Sequence, residues 1–74
     1  MPALPVLKPK QVLKALRRAG FFVDRQRGSH VSLRREGYGG TVTVPMHNKD
    51  LKPKTLRSII NQAGLDLEEF LKLL

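Results

Sequence analysis

Seventy-four residues fit one small domain, near the size at which a single apolar core holds without cross-links, with room for a surface site but not for a deep pocket. The absence of cysteine excludes disulfides, zinc–thiolate centres and thiol nucleophiles, and makes the cytoplasm the expected compartment. The net charge of +8 is unevenly spread, since every base except Lys72 lies within residues 1–65 while Asp66, Glu68 and Glu69 make the tail mildly acidic.

A cationic body of this kind suits a polyanion, nucleic acid first, because neutralising phosphates releases counterions. The plainer alternative is a surface kept soluble by its bases. The N-terminal stretch Met1-Pro2-Ala3-Leu4-Pro5-Val6-Leu7 is apolar, but two prolines interrupt it and it is too short for the apolar part of a signal peptide. No apolar run is long enough to span a membrane, so no membrane partner is expected.

In chain order, residues 8–19 predict a first helix. Pro9 suits its first turn, Val12, Leu13, Leu16 and Ala19 recur at helical spacing, and Lys10, Lys14, Arg17 and Arg18 take the positions between. Gly20 ends it. Residues 21–26 predict a strand in which Phe21, Val23 and Arg25 share one face and Phe22, Asp24 and Gln26 the other, with neither face marked as the buried one. Arg27-Gly28-Ser29 predicts a turn. The segment His30–Arg35 then alternates strictly, with Val31 and Leu33 on one side and His30, Ser32 and Arg34 on the other. The glycine-rich stretch 36–40 predicts a hairpin loop, and Thr41-Val42-Thr43-Val44 a third strand with its valines inward.

Because residues opposite each other in an antiparallel pair share a face, Leu33 must oppose Val42 or Val44. The second register sets His30 against His47; the first sets it against Pro45. Both bring the two histidines near each other, and Pro45 suits an edge strand. Pro53 opens a second helix with Leu56, Ile59, Ile60 and Ala63 as its buried stripe and Gly64 as its end. Asp66 and Glu69 have capping-box spacing for a short third helix over Leu67, Phe70, Leu71 and Leu74, which must dock on the body or on a partner. The expected fold is α+β: helix, three antiparallel strands, helix, with the helices on one sheet face and a short C-terminal helix.

Three stretches, taken in order, resemble the HicA toxins, small messenger-RNA-cleaving endoribonucleases of bacterial and archaeal toxin–antitoxin pairs. They are Gly20-Phe21 with Arg25 downstream; Gly28-Ser29-His30; and Val42-Thr43-Val44-Pro45-Met46-His47 running into Leu51, Thr55–Ile60 and Gln62-Ala63-Gly64-Leu65. The resemblance covers residues 8–65. It implies a fold similar to the double-stranded-RNA-binding domain, a catalytic role for His30, and a HicB-type antitoxin that covers the site, with DNA met only through the antitoxin complex. The chain departs from the family at Lys54, where glycine is frequent, and at Asn61, where a base is frequent.

The chemistry expected at these residues follows from their types. An imidazole at position 30 can take a proton from a ribose 2′-hydroxyl or give one to the leaving 5′-oxygen. His47 is the candidate second proton-transfer group. Arg25, Arg27 and Arg34 are the nearest cations for charge developing on phosphorus, Gly28 and Ser29 shape the turn and its approach to RNA, and Lys49, Lys52 and Lys54 gather near the start of the second helix. Tyr38 is either a base-stacking or a structural residue. No metal or cofactor is expected, since two histidines and scattered acids offer no ligand cluster. Three functions stay open: an endoribonuclease acting on single-stranded messenger RNA, a non-catalytic RNA-binding module of the same fold, and a subunit that serves chiefly to bind an antitoxin and repress its own operon.

Overall fold

The computed structural model describes residues 3–74, so Met1 and the first of the two N-terminal prolines, Pro2, lie outside it. Helix α1 spans Pro9–Arg18. Its entry is held by the Lys8 backbone N–H, which donates to Oε1 of Gln11 at 2.9 Å. Pro9, Val12, Ala15 and Leu16 are buried along it, so Ala15 joins the expected stripe while Leu13 and Ala19 stay half-buried at its margins.

The helix stops by a Schellman motif. Gly20, at φ 96°, donates its N–H to Arg17 C=O, and Phe21 donates to Leu16 C=O, each at 3.0 Å. Helix α2, Pro53–Gln62, ends in the same way through Gly64 at φ 71°, with Gly64 N–H on Asn61 C=O and Leu65 N–H on Ile60 C=O. Two glycines in left-handed backbone thus turn the chain out of both helices towards the next element.

The sheet consists of β1 (Phe22–Arg27), β2 (His30–Arg34) and β3 (Val42–Pro45), antiparallel and in the order β1-β2-β3. Of the two registers that the alternation allows, the chain adopts the one with Leu33 opposite Val42, Val31 opposite Val44 and His30 opposite Pro45. The first strand differs from the simple alternation expected for it. A bulge between Val23 and Arg25 leaves Asp24 unpaired, with Val23 opposite Leu33 but Arg25 opposite Ser32. Arg25 therefore lies on the face opposite to Val23, with Phe22 rather than against it.

Val31, Leu33, Val42 and Val44 supply the sheet's half of the core, and Val12, Ala15, Leu16, Leu56, Ile59, Ile60 and Ala63 supply the helices' half. Both helices cover the same sheet face, as the alternation requires. At the margin, Leu51 N–H donates to Leu7 C=O at 2.8 Å, pinning the N-terminal segment to the β3–α2 connection. Gln62 reaches from the end of α2 to β3: its Oε1 accepts the Thr43 N–H at 3.0 Å, while its Nε2 donates to Ser58 Oγ at 3.1 Å.

The acidic tail docks on the body. Asp66 and Glu69 form the capping box, with Glu69 N–H on Asp66 Oδ1 at 2.7 Å and Asp66 N–H on Glu69 Oε1 at 3.0 Å, and α3 follows over Leu67–Leu71. Phe70 is fully buried in the common core, and the Arg18 guanidinium donates to Leu73 C=O at 2.7 Å.

The β2–β3 loop forms a further latch, at the C-terminal ends of the two long helices. The Arg35 guanidinium donates to Ala19 C=O at the end of α1 and lies 5.1 and 5.2 Å from the ring centres of Phe21 and Tyr38, which meet edge to face at 5.8 Å. The Tyr38 hydroxyl donates to Gln62 C=O at 2.6 Å. A Cβ on Gly40 would come within 2.7 Å of the Tyr38 ring, so that glycine is needed for room.

Phe70→Ala should lower stability by about 3–5 kcal/mol through the cavity it leaves. Tyr38→Phe, which keeps the ring and loses one hydrogen bond, should cost about 1 kcal/mol. Urea unfolding of both variants checks the pair, and a Phe70→Ala midpoint equal to that of the parent chain would mean that α3 adds nothing to the core.

Candidate functional site

The sheet face turned away from the helices carries His30 and the three arginines singled out in the sequence. Cross-strand pairing sets Arg27 beside His30 and His30 beside Pro45; the next row across the sheet is Arg25, Ser32 and Thr43, and beyond it Phe22 pairs with Arg34. His30, Arg25, Arg27 and Arg34 are all exposed. The bulge is what brings Arg25 to this row. Asp24, displaced into the bulge, has Oδ2 3.4 Å from Nε of Arg25, an exposed pair of small energetic weight.

His30 owes its position to the hairpin before it. Gly28 and Ser29 form a two-residue turn closed by the Arg27–His30 pair, with φ 59° at Gly28 and no positive φ at Ser29. Glycine in the first central position is the preference of a type II′ turn, whose twist matches that of the flanking strands. A Cβ on Gly28 would meet nothing within 4 Å, so the glycine answers a demand of the backbone and not of space. The Ser29 carbonyl accepts the Met46 N–H, which ties the turn to the exit of β3, and Gln26 Nε2 donates to Gly28 C=O at 3.2 Å. His30 is thus the first residue of a strand anchored on both sides, with its imidazole in solvent.

His47 belongs to a neighbouring feature. It lies past the end of β3, exposed, with Nδ1 accepting the Lys49 N–H at 3.2 Å. That bond favours the tautomer with the proton on Nε2, which leaves Nε2–H as a donor. His47, Met46 and Asn48 line an open notch of about 590 Å³ whose other wall is Lys8, Lys10 and Gln11 at the start of α1. Lys52 is the N-cap of α2 and Lys54 lies in its first turn, which holds no acid; with Lys49 they form an exposed basic cluster around this helix start.

The site residues therefore fall into two adjoining groups. Arg25, Arg27, His30 and Arg34 share the open sheet face, whereas His47, Lys49, Lys52 and Lys54 surround the connection to α2, and the hydrogen bond from Met46 to Ser29 joins the two. Tyr38 joins neither, because its hydroxyl and ring are engaged in the latch. Among the described residues, no three His, Asp or Glu side chains converge as a metal-ligand group. Three residues escaped the sequence reading. Lys8 and Gln11 face His47 only because the Leu7–Leu51 bond folds the N-terminal segment back, and Phe22 reaches the basic face only through the strand pairing.

A family model described as the HicA toxin of bacterial toxin–antitoxin systems matches residues 9–65. No curated protein matches the chain significantly.

Gly28→Ala should cost about 1–2 kcal/mol by forcing a Cβ into left-handed backbone. The same change should loosen the bond between turn and strand exit. Amide exchange at Met46 checks this: a clear acceleration relative to Val31 is expected, and unchanged protection would show that the turn tolerates a side chain.

Proposed function

Because the chain belongs to the HicA toxin family, we propose that it is the toxin of a toxin–antitoxin pair and an endoribonuclease that cuts single-stranded messenger RNA with His30 as its acid–base group. The observation that carries this reading is an exposed imidazole held at the start of β2, beside Arg27 and on one open face with Arg25 and Arg34. Neutral imidazole at His30 takes the proton of a ribose 2′-hydroxyl. The 2′-oxygen attacks the adjacent phosphorus, the 2′-O–P bond forms as the P–5′-O bond breaks, and the leaving 5′-oxygen takes a proton from water, to which the His30 imidazolium returns its own. The products are a 2′,3′-cyclic phosphate and a 5′-hydroxyl.

Arg25, Arg27 and Arg34 offset the charge that gathers on the phosphorane oxygens. His47 is the candidate second proton-transfer group; with Nδ1 accepting the Lys49 N–H, its Nε2–H can also hydrogen-bond a phosphate. Lys49, Lys52 and Lys54 draw the flanking backbone, Gly28 and Ser29 hold His30 in position, and the reaction calls for no cofactor. A HicB-type antitoxin would neutralise the toxin by covering this face, and contact with DNA would follow from that complex alone. The cytoplasm, where messenger RNA is found, is the compartment that the reading requires; no helix among the described residues is long and apolar enough to cross a membrane.

The decisive comparison is between the parent chain and His30→Ala on a single-stranded RNA in EDTA, with binding followed in parallel. Loss of cleavage by about 10²–10⁴-fold with binding retained is expected, and a single 2′-deoxy nucleotide at the cut should abolish cleavage there. Equal binding with no cutting by either protein would replace the nuclease with a non-catalytic RNA-binding module.

Binding by either protein should also weaken steeply with salt, as phosphate neutralisation by several bases requires. Filter binding across a salt series measures the slope, and a flat response would remove the arginine and lysine groups from the interface.

A further inference from the structure

Phe22 is the residue on the open face for which neither the core nor the acid–base chemistry accounts. It is 51% exposed, in the first position of β1, opposite Arg34 and two same-face rows from His30. The other exposed large apolar side chains differ in setting: Val6 and Leu74 are near the chain ends, and Val23 lies opposite Leu33 on the helix-covered side. Among the described residues, Phe22 alone presents an aromatic ring within a row of cations. Arg25, Arg27 and Arg34 share its face, the cross-strand pairs of that face contain no carboxylate, and the nearby Asp24 is turned onto Arg25.

A half-exposed phenylalanine on a strand gains nothing from water, and the arginine row beside it calls for an anionic partner. Single-stranded nucleic acid satisfies both features, because its phosphates meet the guanidinium groups while an unpaired base can cover the ring. We propose that Phe22 is a base-stacking residue, and that single-stranded RNA runs across the open sheet face from Phe22 past Arg25 to His30. The path is about 13 Å along β2, at about 3.3 Å per residue over the four steps from Arg34 to His30, so the stacked base belongs to a nucleotide near the cut and not to the cleaved one. The proposal rests on the reading of this face as an RNA-cleaving site and adds to it a determinant of where the strand sits. It also gives the bulge at Asp24 a use: with regular alternation Phe22 and Arg25 would point to opposite faces.

The test uses the full chain carrying His30→Ala, so that RNA is bound without being cut, with Phe22→Leu, Phe22→Ala and Phe22→Trp added singly. Affinity for a labelled single-stranded RNA should fall about tenfold or more in Phe22→Leu and Phe22→Ala, and be kept in Phe22→Trp. The chain has no tryptophan of its own, so quenching of Phe22→Trp fluorescence by RNA reports stacking directly. An abasic nucleotide at one position flanking the cut should weaken binding to the Phe22 protein and make no further difference to Phe22→Leu. Circular dichroism of Phe22→Leu identical to the parent confirms that the fold is intact, as expected for a surface ring. Unchanged affinity in Phe22→Leu, or no quenching in Phe22→Trp, overturns the stacking role while leaving the nuclease reading in place. Absence of RNA binding by the His30→Ala chain itself overturns the nuclease reading as well.

Discussion

The one-sided burial of β2 governs the rest of this molecule. Val31 and Leu33 are drawn beneath α1 and α2 by the loss of apolar surface to water. A strand has a period of two, so the same event commits His30, Ser32 and Arg34 to solvent. The core and the candidate site are therefore not separate designs. A slip of one residue in β2 would bury an imidazole and a guanidinium and expose two core residues, which makes the register of the strand and the chemistry of the surface a single requirement.

So small a core needs its corners closed, and polar groups do most of that closing. Arg35 and Tyr38 hold the C-terminal ends of the two long helices through Ala19 and Gln62 carbonyls, Arg18 holds the tail through Leu73, and Asp66 with Glu69 starts α3. Each ties off a carbonyl or N–H that a helix end leaves without a partner. Among the described residues no buried side-chain nitrogen or oxygen lacks a hydrogen bond. Of the seven arginines, Arg18 and Arg35 thus serve the scaffold, while Arg25, Arg27 and Arg34 face solvent on the sheet face that carries His30.

Much of this was legible in the sequence because the strongest signals are periodic. The stripes Leu56, Ile59, Ile60, Ala63 and Val31, Leu33, Val42, Val44 name their buried faces without help, and Gly20 and Gly64 mark both helix ends. The choice between two registers of β3 was not legible, since both keep valines inward; the bond from Met46 to Ser29 belongs to the one adopted. Nor was the orientation of β1. Its six residues are all exposed, so no buried face imprints a pattern on it, and a bulge at Asp24 inverts the alternation midway. The grouping of His47 with Lys8 and Lys10 was hidden for another reason: it depends on a contact between residues 7 and 51, which no local pattern encodes.

The reach of Gln62 to β3 has a consequence beyond fastening a helix. Backbone N–H groups of Thr43 and of position 45 point the same way, outward from the sheet. The first is taken by the Gln62 side chain and the second does not exist, because position 45 is proline. At these positions the free margin of β3 offers no donor to a passing chain, so a fourth strand finds no N–H to pair with there. Edge-to-edge growth of the sheet is disfavoured on this flank by one amide side chain and one imino acid, which leaves β1 as the edge open to strand addition.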